Sequence, residues 1–139
     1  MPDNTQGNIV PPVVAPSSQE TVHFDLYKIA QTDEPITVNV IPGDTGQLSQ
    51  TDISVDGSPI VSNQQGAING CAIGTNNSLR GQFLNVVTTV TDMPGDTMET
   101  SFRFELNGGL QPYKYSMAKT VQSVGETVIY RIKIFFTIH

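Results

Sequence analysis

From residue 128 to residue 138 every second side chain is large and apolar: Val128, Tyr130, Ile132, Ile134, Phe136 and Ile138. A repeat of two puts this whole row on one face of an extended strand, whereas a helix would scatter it around its circumference. The same alternation recurs upstream. It sets Val22, Phe24 and Leu26 on one face, inward, and His23, Asp25 and Tyr27 on the other, outward. Ile36, Val38 and Val40 form another inward row, and so do Phe102, Phe104 and Leu106, with Arg103 and Glu105 outward. Tyr113, Tyr115 and Met117 share a face, and residues 83–93 make a long Val- and Thr-rich run with room for a bend or bulge.

Turn residues punctuate these runs. Asp56-Gly57 separates two short strands at 53–56 and 59–61, Asn69-Gly70 suits a tight hairpin within 66–74, and Pro42-Gly43 and Pro94-Gly95 each close a strand. The apolar vocabulary agrees: Val 14 and Ile 12 stand against Leu 6 and Ala 5, and branched side chains lose rotamer freedom in helices but pack well on pleated surfaces. Strands about ten residues apart, with no sustained 3.6-residue period, predict an all-β chain. The expected fold is an antiparallel β-sandwich of about eight strands, immunoglobulin-like, with a small closed β-barrel as the alternative.

The 139 residues suffice for one domain. Four of the nine prolines fall in residues 1–21, which reads as a flexible or docking N-terminal segment ahead of a single sandwich domain at 22–139. A net charge of -6 disfavours a nucleic-acid partner. No run approaches the roughly 18 apolar residues of a membrane span. The lone Cys71 has no intrachain disulfide partner. No basic stretch followed by an apolar core opens the sequence, so a cytoplasmic protein and an extracellular domain made without its leader fit equally well.

Gly108-Gly109-Leu110-Gln111-Pro112-Tyr113-Lys114-Tyr115-Ser116 resembles the Gly-Gly-x-x-Pro-Tyr-x-Tyr-Ser stretch of immunoglobulin-like repeats of the PKD type, found in bacterial surface and adhesin proteins. The likeness extends to the flanking strands and covers less than a third of the chain. It implies an immunoglobulin-like sandwich, and it implies adhesin-like or structural work. The tryptophan expected after the second tyrosine is absent, with Met117 nearby.

Catalytic chemistry finds few footholds. His23 and His139 are the only histidines, and no motif places a nucleophile beside either. His23, Asp25 and Tyr27, read as an outward row, are the residues to which a ligand would bind, with Tyr27 as the ring for a glycan in a lectin-like alternative. A small-molecule-binding barrel is a further alternative. No metal or other cofactor is expected; Asp92, Asp96 and Glu99 are the carboxylates that turn-bound Ca2+ would use.

Two features favour protein contact or self-association. Residues 1–100 hold two basic and eleven acidic side chains, a balance of −9, while residues 101–139 hold five against two, a balance of +3. The last strand is also apolar on its second face, where Ile129 and Phe135 flank Arg131 and Lys133. Such a strand belongs inside a sheet or under a partner. Ile9, Val10, Val13 and Val14 offer a segment for strand addition. The expected function is non-enzymatic: a structural or adhesin-like module, or an assembly subunit.

Overall fold

The computed structural model describes residues 18–42, 48–91, 99–121 and 125–139. Within them the chain runs β1 Ser18–Lys28, β2 Pro35–Pro42, β3 Leu48–Val55, β4 Ser58–Gln65, β5 Ile68–Thr75, a single helical turn α1 Asn76–Leu79, β6 Phe83–Thr91, β7 Glu99–Asn107, β8 Tyr113–Thr120 and β9 Thr127–Thr137. Five strands form one sheet in the order β1-β9-β6-β3-β4, and four form the other in the order β5-β2-β7-β8. Among the described residues each sheet keeps two edges, so the fold is an immunoglobulin-like sandwich and the barrel alternative falls. Neighbours are antiparallel except β1, which runs parallel to β9 from Ser18 opposite Thr127 to Lys28 opposite Thr137.

The alternating rows meet in one core. Ile36, Val38 and Val40 of β2 and Phe102, Phe104 and Leu106 of β7 are buried, as are Leu84, Val86 and Val90 of β6 and Val128 to Phe136 at every second position of β9. Tyr130 stacks on Phe102 with ring centroids 4.9 Å apart and finds a partner for its hydroxyl in Thr100 Oγ1 at 2.5 Å. β6 shows no register shift against either neighbour, so the long Val/Thr run is regular and not bulged.

Turn chemistry explains two junctions. Asp56 and Gly57 both take positive φ, +47° and +83°, as a type I′ hairpin between β3 and β4 requires. Asn69-Gly70, expected to be a hairpin, instead sits inside β5: Gly70 takes φ +64° where β5 slips in register against β2, and Asn39 Oδ1 accepts from Gly70 N at 2.6 Å. The pair makes an irregularity in one strand because β2 continues alongside it on both sides of the slip. Gly43, Pro94 and Gly95 lie outside the described residues.

One buried polar residue fastens the loops at one end of the sandwich. Asn76 Oδ1 accepts from Ala30 N at 2.8 Å, while Asn76 Nδ2 donates to the carbonyls of Glu34 at 2.8 Å and Gly108 at 3.0 Å. Thr75 caps the α1 turn reciprocally with Ser78, which holds Asn76 in place.

Candidate functional site: the β1 edge and its two faces

β1 is placed with the opposite face inward from that expected from its sequence. Tyr27 is buried at 4 % exposure, whereas Val22, Phe24 and Leu26 stand 67 %, 57 % and 51 % exposed on the outer face of the five-stranded sheet. The reason lies across the sandwich. Among the described strands β1 is at an edge, and what faces its inner row is the other sheet's edge strand β8 with the loop before it, rich in hydrogen-bonding groups. A row of Gln19, Thr21, His23, Asp25 and Tyr27 finds partners there that an aliphatic row would leave unpaired.

Those partners run the length of the strand. Gln19 Nε2 donates to Thr120 O and to Glu126 Oε2, both at 2.8 Å, and Thr21 Oγ1 donates to Met117 Sδ at 3.1 Å. His23 stacks on Tyr115 with centroids 3.6 Å apart and planes within 8°. Tyr113 Oη donates to Asp25 Oδ2 at 2.7 Å, so it is left to accept from His23 Nε2, also at 2.7 Å. The His23–Asp25 contact itself is longer, 3.7 Å. Tyr27 Oη donates to Gln111 O at 2.6 Å and accepts from Gly109 N at 3.0 Å.

The Gly-Gly-x-x-Pro-Tyr-x-Tyr-Ser stretch therefore wraps Tyr27. A Cβ on Gly109 would lie 2.6 Å from the Tyr27 ring, and one on Gly108, at φ +106°, would lie 2.1 Å from Pro35 O. Both glycines are there because other atoms occupy the side-chain space.

The Tyr113 hydrogen bond first, and then the Leu26 N–H, hold the Asp25 carboxyl below its ordinary range; burial opposes them, and the nearby imidazole adds a lesser pull downward. Burial first, and then the Asp25 carboxylate, push the Tyr113 phenol well above its usual value. Burial likewise raises Tyr27, partly offset by the Gly109 hydrogen bond. Chemically the cluster is a latch that joins the two sheets at their open side.

Of the expected ligand residues, His23, Asp25 and Tyr27 are thus brought together, but on the inner side. Tyr27 presents no ring to a glycan: the ring is buried in the core and its hydroxyl is held by two backbone groups. Ile129, Arg131, Lys133 and Phe135 do share the outer face, since β9 lies between β1 and β6. Ile9, Val10, Val13 and Val14 lie outside the described residues, as do Asp92 and Asp96; Glu99 opens β7. Among the described residues no three His, Cys, Asp or Glu side chains gather to hold a metal ion, and no helix is long and apolar enough to cross a membrane. The two charge halves meet inside one sheet, where Arg131 of β9 pairs with Glu20 of β1.

Of the outer apolar patch, Phe135 and Lys133 were expected from the sequence, Val22, Phe24 and Leu26 were expected inward, and Phe83 was not singled out. Phe24 lies 6.1 Å from Phe83 and Phe83 lies 4.8 Å from Phe135, centroid to centroid, with Lys133 Nζ 4.6 Å from the Phe83 ring. Register puts Val22 beside Arg131, Phe24 beside Lys133 and Leu26 beside Phe135. A signal for this orientation was in the sequence. The apolar row of β1 starts at Glu20 and ends at Lys28 on the same face, and two such charges resist burial. The chain matches no family model, no curated protein and no solved structure, so its likeness to PKD-type repeats rests on residues 108–116 and the strands beside them.

Proposed function

We propose that this sandwich is non-enzymatic and works by protein contact, and that the contact face is the outer surface of β1, β9 and β6. The observation that carries this reading is the exposure of Val22, Phe24 and Leu26 on an edge strand whose polar row is the one turned inward. Full burial of such a side chain is worth roughly 1.5–3 kcal/mol, so a monomer alone gains little from this placement. With Phe83, Phe135 and Ile129 alongside, and Glu20, Lys28, Arg131 and Lys133 around and between them, the surface has the apolar centre and charged rim of an interface. Within this reading the module is adhesin-like or structural, the role that the residues 108–116 resemblance favours.

The test compares the wild-type chain with a Val22→Ser/Phe24→Ser/Leu26→Ser variant, checked for equal folding by circular dichroism. Chemical cross-linking in extract of the native cells should give defined adducts with the wild type, its own copies included, that the variant loses. Identical adduct patterns for two equally folded proteins would overturn the reading.

A further inference from the structure

The edge of β1 away from β9, which pairs with no described strand, has a definite direction. Ile29 N donates to Thr137 O of β9 at 2.9 Å. Because successive residues of a strand point their backbone groups to alternate sides, the odd-numbered residues of β1 face β9 and the even-numbered ones face away. Two contacts agree: Lys28 O accepts from Leu110 N at 3.1 Å, and Leu26 N donates to its neighbour's Asp25 Oδ1 at 2.8 Å. Both are made on the side away from β9. They close the end of the edge, while Val22 and Phe24 present their backbone groups to no described strand.

We infer that a second copy of this chain covers this edge, its β1 antiparallel to the first about a two-fold axis through Phe24. The inference rests on reading the outer face as a contact surface. What selects the partner is the self-complementarity of the strand about that axis. In the outer row Phe24 meets its own copy, Val22 meets the partner copy's Leu26, and Glu20 approaches the partner copy's Lys28 beyond the paired segment. In the inner row His23 comes opposite the partner copy's Asp25. Moving the axis to His23 would set Leu26 against Glu20 and imidazole against imidazole. Moving it to Val22 would set Phe24 against Glu20. Of these three axes only the one through Phe24 matches apolar with apolar along the outer row and sets His23 against Asp25.

Pairing needs little rearrangement. Phe24 exchanges both backbone bonds with its copy, and Val22 N donates to the partner copy's Leu26 O, in each direction, with Asp25 left on Leu26 N. Leu110, seated on the Lys28 carbonyl, marks where the pairing ends. The product is a continuous sheet through both copies that joins their exposed apolar rows and removes an edge open to aggregation.

The full chain at about 50 µM should sediment as a dimer, and Phe24→Lys, which places two ammonium groups on the axis, should raise the dissociation constant at least tenfold with an unchanged circular dichroism spectrum. Register is read with cysteines in a Cys71→Ser background. Phe24→Cys should oxidise to a covalent dimer, since residues paired on the axis lie about 5.5 Å apart, within disulfide reach. Val22→Cys alone should not, and Val22→Cys/Leu26→Cys should. A chain that stays monomeric, or Val22→Cys dimers without Phe24→Cys dimers, would overturn the proposal. Amide exchange then shows what covers the edge instead. A monomer with protected Val22 and Phe24 amides has its own residues 1–17 there. A monomer whose cross-links to other proteins still depend on Phe24 has a different partner there. In this last case the second copy is excluded while the contact reading stands, and loss of both dimer and Phe24-dependent cross-links removes both.

Discussion

The Tyr113 hydroxyl donates to Asp25 Oδ2 at 2.7 Å, and this one bond joins the edge strands of two different sheets. Its oxygen also takes the His23 Nε2 contact, so deleting it releases two side chains of β1 together. Tyr113→Phe should therefore cost about 1–2 kcal/mol in urea denaturation, while leaving the ring packing against Tyr27 and Phe104 in place. An NMR titration should find the Asp25 carboxyl closer to its ordinary value in this variant.

Acid should loosen the same latch. Asp25 has a folded pKa below its unfolded one, so its contribution is fully present above the unfolded value, near 3.8, and is lost as pH falls through the folded value. Stability measured from pH 5 downward should fall with a slope that Asp25→Asn reduces. An unaltered slope in Asp25→Asn would show that other carboxylates set the acid limb.

Gly109 should tolerate no side chain while Tyr27 is present. The added carbon of Gly109→Ala would meet the ring at 2.6–2.7 Å, and the ring is fixed by two backbone hydrogen bonds. A loss of about 1–3 kcal/mol is expected from thermal unfolding. In a double-mutant cycle with Tyr27→Ala the two losses should couple strongly, because the second change removes the atoms that clash.

Asn76 should discriminate between donor and acceptor. Asn76→Ala removes the side-chain partner of Ala30 N, Glu34 O and Gly108 O, with Glu34 O keeping the residue-76 N–H, and a loss of about 2–3 kcal/mol is expected in chemical denaturation. Asn76→Asp should be no better than alanine at neutral pH. A carboxylate still accepts from Ala30 N, but it has no proton for Glu34 O or Gly108 O.

Strand positions were legible in the sequence wherever burial is decided by one row alone. For β2, β7 and β9 the second row carries residues such as Asn39, Arg103, Glu105, Arg131 and Lys133, so only one orientation hides the apolar side. The Asp56-Gly57 turn was legible for a similar local reason, since the backbone at both positions needs positive φ. Asn69-Gly70 carries the same kind of signal and yet lies within a strand, because the partner β2 pairs on both sides of it.

The sequence by itself determined that the chain is built of alternating strands and which rows of β2, β7 and β9 fill its centre, because period and β-branching act locally on every residue; that the two sheets stay open as a sandwich was decided by the strand order. Tertiary structure decided which way β1 faces, with Glu20 and Lys28 at the two ends of its apolar row as the one local signal for that choice. Alternation defines two faces but not which of them meets the core, and at an edge the choice depends on what lies opposite. There the Gly108–Gly109 loop and the tyrosines of β8 offer hydrogen bonds to His23, Asp25 and Tyr27. Satisfying those groups outweighed hiding Val22, Phe24 and Leu26, and it is this placement that leaves the protein with an apolar outer face.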